Sequence, residues 1–228
     1  MTAPGTSERV VIYGAGDLGW SQLRIFAAAG VAVEGFVDDL RPAGESFQGL
    51  PVLGDVDEGL RLLEARPELS LAFAIGYRRF DLRAGRFDYL AARGARFASS
   101  IHPSAIVDPA ARLGRGVVLF PGTVIDHGAE LEDNVLVNTG AVVAHDSIVR
   151  RHAFVSPGVA IAGFVTVGSC AMVGLGARLL EHCEVGRGAL VAAGAVVRDN
   201  VPDFTLVAGV PAEEKKKLEP FAIDEVTG

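Results

Sequence analysis

Every sixth residue from Ile101 to Val197 is leucine, isoleucine or valine, without exception over 17 consecutive places. The residue four places after each of them, from Ala105 to Val201, is almost as restricted, being Ala, Val, Thr, Ser or Cys. A six-residue period of this kind is the mark of a parallel β-helix. Counting the large aliphatic as position one, positions five and one lie two residues apart, so on a strand they share a face. Both therefore point inward, position six points out, and the corner falls on positions two to four. Position four agrees: it is Gly at 116, 122, 128, 140, 158, 176, 188 and 194 and Asn at 134 and 200. These residue types tolerate the left-handed backbone of a sharp corner.

Residues 9–97 follow a different pattern. Val10–Tyr13 reads as an apolar strand and leads into the loop Gly14-Ala15-Gly16-Asp17-Leu18-Gly19. A helix to about Ala29 follows, with Leu18, Gln22, Ile25, Phe26 and Ala29 on one face. Further strands are predicted at Val31–Val37 and Leu71–Gly76, with the segment Leu50–Gly54 between them left without a type, and helices at Val56–Ala65 and from Phe80 to Arg93. The β-α-β order suits a small Rossmann-like domain, whose glycine loop and helix N-terminus would face a pyrophosphate. Gly14-x-Gly16-x-x-Gly19 with Asp38 downstream formally fits an NAD fingerprint. The domain, however, has room for only one mononucleotide half, and no dehydrogenase substrate domain follows it. The plain alternative is a tight turn, with Asp38 and Asp39 ending a strand.

A net charge of −7 and a pI near 5.2 argue against a nucleic-acid groove. Cys170 and Cys183 lack metal-ligand spacing and suit a reducing cytoplasm. The opening residues show no signal-peptide core, and no run approaches a membrane span.

The order of glycine-loop domain, Ile101-His102-Pro103-Ser104-Ala105, hexad run and Val207-Ala208-Gly209-Val210-Pro211-Ala212 resembles one bacterial family. The sharpest element is Asn138-Thr139-Gly140-Ala141-Val142-Val143-Ala144-His145-Asp146. The chain is similar to the hexapeptide-repeat acetyltransferases that modify nucleotide-linked amino sugars, or sialic acid, for surface glycans. The resemblance implies an α/β Rossmann-like domain (residues 1–98) and a left-handed parallel β-helix with a short C-terminal helix (residues 99–228). It also implies a cytoplasmic homotrimer with acetyl-CoA between neighbouring subunits, and no metal. His145 and Asp146 would be catalytic. Gly14, Gly16, Asp17, Asp38, Asp39, Asn138 and His127 would serve the nucleotide sugar, and Phe154, Gly163, Gly174, Ala193 and Pro211 the acetyl-CoA. The chain departs from the pattern in two places. Leu18 stands where many members carry a loop histidine, and Phe154 where many carry a second histidine after the catalytic one.

Acetyl transfer from a thioester needs a base, an oxyanion donor and two aligned substrates. His145 at position three points away from the core, and Asp146 beside it would fix the imidazole tautomer. No serine or cysteine has a paired base, so direct attack in a ternary complex is expected, with a backbone N–H near Gly163 facing the thioester oxygen. His127, one coil earlier in the same column, would line the same groove. His152 and His182 at position four read as corner residues, and His102 as structural. Asp146 reads as a corner residue, an orienting carboxylate, or both. Arg78, Arg79 and Arg83 could meet phosphate or form a solvated face. Lys215–Lys217 could reach the CoA 3′-phosphate or lie on a helix surface. A zinc carbonic anhydrase would need further histidines where Arg150 and Pro109 stand. A non-catalytic nucleotide-sugar-binding scaffold would not need His145-Asp146.

Overall fold

The computed structural model describes residues 9–76 and 79–221, and the chain divides into two compact units at the Ile101–His102 boundary. The first unit runs β1 (Arg9–Tyr13), α1 (Asp17–Ala29), β2 (Ala32–Val37), β3 (Ser46–Phe47), β4 (Leu50–Gly54), α2 (Val56–Ala65), β5 (Leu69–Phe73), α3 (Phe80–Ala92) and β6 (Phe97–Ala98). Its sheet has the order β3-β4-β2-β1-β5-β6, parallel except for the β3–β4 hairpin. The central strand β1 is completely buried over Val10–Tyr13, as its unbroken apolar run requires. The short strands β3 and β6 have too few residues to show a period and were not anticipated. Strand β5 begins at Leu69 instead of Leu71 because it pairs with β1 from Arg9 onward. Helix α1 buries Gly19, Gln22, Ile25 and Phe26, but Ala29 is exposed in its last turn. Buried Gln22 is satisfied by donating to the Phe73 carbonyl (2.8 Å) and accepting from Ser100 Oγ (2.9 Å).

The second unit is a three-sided parallel β-helix. Two-residue strands pair in parallel with the strand eighteen residues on. Val118–Leu119 pairs with Leu136–Val137, Val124–Ile125 with Val142–Val143, and Glu130–Leu131 with Ile148–Val149. Position one from Leu119 to Val197 is at most 1% exposed. Burying each such side chain contributes roughly 1.5–3 kcal/mol. Val107 and Leu113 are half-exposed, because the first coil has no partner on its outer side. From Gly116 to Gly194 every residue at position four has positive φ, including Asn134, Asp146, His152, Phe164, Cys170 and His182.

Several expectations need correction. Asn200 is not among the positive-φ residues, since the regular corner ends with the last full coil. Position six does not always point to water: Val118, Leu136 and Phe154, stacked on one side, are buried. These bulky apolar side chains are stable where water is excluded, whereas other sides carry Arg112, Arg178 and Glu184 at the same position. No C-terminal helix occurs among the described residues. Thr205–Ala208 joins the stack, and Glu213–Lys217 returns antiparallel to it. Lys and Glu favour helix, but cross-strand backbone pairing overrides that weak preference.

Candidate active site

The candidate residues of the β-helix fall on different corners. His127, His145, Asp146, Gly163, Phe164 and His182 follow one another up a single corner. Its rungs are joined by Asp146 N–H to the His127 carbonyl (3.1 Å), Phe164 N–H to the His145 carbonyl (3.2 Å) and His182 N–H to the Gly163 carbonyl (3.3 Å). Inward-facing Ser147 pins two of these rungs together. Its Oγ donates to the Ala162 carbonyl (2.7 Å) and accepts from Val165 N–H (3.1 Å).

Around His145 this corner forms a slot. Nδ1 lies 3.1 Å from Asp146 Oδ2, and with Nδ1–H donating there, Nε2 is left as the acceptor that a base requires. Asp146, at φ 55, is therefore both corner residue and imidazole partner. Gly163 leaves room for the ring. A Cβ there would stand 2.6 Å from His145 Cε1 and 2.7 Å from Nε2. His127 stacks on His145 at 5.4 Å between ring centroids, its plane turned by only 11°. Asp126 Oδ1, 3.0 Å from His127 Nδ1, raises the His127 pKa above the ordinary histidine value.

Donor atoms of His127, His145 and Asp146 lie within 4.8 Å of one another. A shared cation would need lone pairs converging on one point. The two nearly parallel rings direct their in-plane lone pairs side by side, which suits stacking better than ligation.

Asn138 stands on the preceding corner of the same coil, where its Oδ1 accepts from Thr139 N–H at 2.8 Å. Gly174 and Ala193 share that second corner further up, and a Cβ on Gly174 would be 2.6 Å from the Val191 carbonyl oxygen. Pro211 is exposed beyond the stack, after a cis peptide bond. Phe154 is 3% exposed, so it offers a ligand almost no surface. His152 is buried on the third corner beside Asn134, with Nδ1 to Nδ2 at 3.0 Å, as a corner residue of the core. His102 bonds Ser104 and remains structural. Cys183 is buried among apolar groups, which pushes its thiol up to about 11.

In the first unit the glycine loop is held tightly. Gly14 has φ 114, and a Cβ on Gly19 would stand 2.0 Å from the Gly14 carbonyl oxygen. Gly16 caps α1, and Asp17 is exposed in its first turn. The two strand-end carboxylates are already engaged. Asp38 accepts from the N–H groups of Ala15 (2.7 Å), Leu40 (2.8 Å) and Arg41 (3.1 Å). Asp39 accepts from Tyr13 Oη (2.6 Å) and from Val56 N–H at the start of α2 (3.0 Å). Both therefore shape the loop from within. Asp39→Ala leaves the Tyr13 hydroxyl buried without its acceptor and is expected to cost about 1–3 kcal/mol, read as a lower urea midpoint. An unchanged midpoint would contradict this. Arg83, 1% exposed, donates to the Ile75 carbonyl and lies 5.4 Å from the Phe73 ring centroid, so it serves the core. Arg79 pairs with Asp81 in solvent, and Arg78 lies outside the described residues. Lys217 reaches Thr205 Oγ1 (3.0 Å) and Glu214 (2.9 Å) on the terminal strand pair.

Single residue types do not single out Ser147, which pins two rungs of the His145 corner, or Phe164, whose ring centroid lies 5.2 Å from that of His145. The signal was available for Phe164, a bulky ring at a position otherwise held by small or polar residues.

Comparisons with family models and with curated proteins give no match. Solved structures do match. GDP-perosamine N-acetyltransferase from Caulobacter crescentus, as a histidine-to-alanine mutant with CoA and GDP-perosamine, is 36% identical with a TM-score of 0.83, covering 94% of this chain and 99% of that one. The acetyltransferase domain of PglB from Neisseria gonorrhoeae, in complex with acetyl coenzyme A, is 32% identical with a TM-score of 0.82, covering 92% and 100%. WeeI from Acinetobacter baumannii, at 22% identity and a TM-score of 0.78, shares the fold. No helix among the described residues is long and apolar enough to cross a membrane. With identity above 30% over nearly the whole of both chains, the protein belongs to the nucleotide-amino-sugar acetyltransferases of the hexapeptide family.

Proposed function

We propose that the chain transfers the acetyl group of acetyl-CoA to the amino group of a nucleotide-linked amino sugar by direct attack. The observation that carries this reading is His145, with Nδ1 turned to Asp146 and its ring seated over Gly163. The amine nitrogen attacks the thioester carbonyl, and Nε2 of His145 takes the proton released. The C–N bond forms, the C–S bond breaks, and the proton passes to the departing CoA thiolate. Asp146 stabilises the imidazolium in between. A backbone N–H close to Gly163 is the oxyanion donor in this scheme. The first unit is then a Rossmann-like nucleotide-sugar domain, with the bare backbone of Gly14–Gly16 and the α1 N-terminus toward phosphate.

The β-helix works as a left-handed trimer on this reading. His145 occupies one corner, while Asn138, Gly174 and Ala193 occupy another, so one groove containing both sets requires a second chain. Exposed Leu175 and Leu180, 57% and 47% accessible, supply apolar contact near those corners. Light scattering at micromolar concentration is expected to give a trimer, and monomer alone would contradict an intersubunit site.

Substrate class is tested by a thermal-shift panel of UDP-, dTDP-, GDP- and CMP-linked amino sugars, each with and without acetyl-CoA. One nucleotide series is expected to raise Tm, and acetyl-CoA to raise it independently. A panel in which no nucleotide sugar shifts Tm would overturn the assignment.

A further inference from the structure

Phe164 is the bulkiest residue in the corner positions from Gly116 to Gly194, and its φ is 58. Gly, Asn, Asp and His enter this region readily, whereas a bulky side chain there is an outlier. Such strain persists only where something in the surroundings repays it. Burial within the chain does not, because Phe164 is 51% exposed.

What the strained backbone does achieve is a placement. The Phe164 ring stands perpendicular to the His145 imidazole, at 86° and 5.2 Å between centroids. It also stacks on His182 at 5.1 Å and 6°. His145 is thus held on four sides: by His127, by Asp146, by the bare backbone of Gly163 and by the phenyl ring. A glycine at 164 would satisfy the corner without strain but leave one side of the imidazole free to swing.

We propose that Phe164 is a positioning residue, which fixes the His145 ring in the orientation that aims Nε2 at the acceptor amine. His182 braces the phenyl ring from the far side. The inference rests on His145 acting as the base, and it deepens that reading by assigning the part that holds the base in line.

The test compares Phe164→Gly, Phe164→Asn and Phe164→Tyr with His145→Ala, in the full-length enzyme with acetyl-CoA and its amino-sugar acceptor. Phe164→Gly is expected to unfold at or above the wild-type temperature, since the strain is gone. Its kcat is expected to fall about 10-fold, because small misplacements of a reacting group are costly, while both KM values stay within about twofold. Phe164→Tyr, which keeps the ring, should restore most of the lost kcat. Should the glycine variant fail to fold, Phe164→Asn, compatible with the same backbone, is judged by the same criteria. Wild-type kcat in the Gly or Asn variant, beside a collapsed His145→Ala, would overturn the positioning role and leave the base reading intact. A loss carried by KM would overturn it in favour of direct substrate contact. Dissociation of the oligomer in step with lost turnover would overturn it in favour of an assembly role, and failure of Tyr to rescue would count equally against it. Near-normal turnover in His145→Ala would overturn both readings together.

Discussion

Replacing His145 by alanine is expected to lower kcat by about 10²-fold or more, the usual scale for a positioned acid–base group. The loss should fall on turnover and not on binding. The side chain of His145 is 37% exposed at a corner secured by Ser147 and by the rung hydrogen bonds. The fold and the acetyl-CoA affinity should therefore survive. His127 provides an internal control. It occupies the same hexad position one coil earlier, with its ring stacked on His145. Its Nδ1 is paired with Asp126, and its side chain is 60% exposed. His127→Ala is expected to act mainly on the KM of the sugar and, because it removes one of the rings that flank His145, to lower kcat by at most the about 10-fold expected for Phe164→Gly. Steady-state kinetics on the two variants separate the outcomes. Equal losses of kcat would point to a histidine pair acting together, and retained kcat in His145→Ala would remove it as the base.

Gly19→Ala is expected to have the largest effect in the first unit. The added Cβ would lie 2.0 Å from the Gly14 carbonyl oxygen and 3.4 Å from Phe36 Cε1. The closer of these is backbone, so no side-chain rotation relieves it. Either α1 moves away from the loop or the loop itself opens. Overpacking of this kind costs about 1–3 kcal/mol, and more where backbone must yield. The same shift would spread the N–H groups of Gly14–Gly16 that the proposed phosphate site needs. Isothermal titration should show nucleotide-sugar affinity lost and acetyl-CoA affinity kept. Unchanged nucleotide-sugar affinity would remove the glycine loop from the binding site.

The hexad carried most of the fold because its period, its inward pair and its corner residue are separate signals that agree. Buried stripes at positions one and five and positive φ at position four are what that agreement predicts. His145 was legible for a related reason: at position three it lacks the backbone excuse that explains His152 and His182. What remained hidden depends on contacts that no period records. Glu213–Lys217 has the composition of a helix and becomes a strand because Thr205–Ala208 presents an edge to it. Asp38 and Asp39 read in the sequence either as ligands or as the end of a strand, and only the structure shows the N–H groups and the Tyr13 hydroxyl that engage them. Phe154 sits at an outward position and is buried nonetheless. Phe164 breaks the corner rule, and that break marks the ring beside His145.

The central claim is tested most directly by incubating the protein with acetyl-CoA and a panel of nucleotide-linked amino sugars, following free CoA thiol and the mass of the sugar product together. Amino-sugar-dependent thiol release is predicted, matched one for one by a product heavier by a single acetyl group, and both signals should fall together by about 10²-fold or more in His145→Ala. Thiol release indifferent to the amino sugar, or an acetylated product formed as fast without His145, would contradict the account.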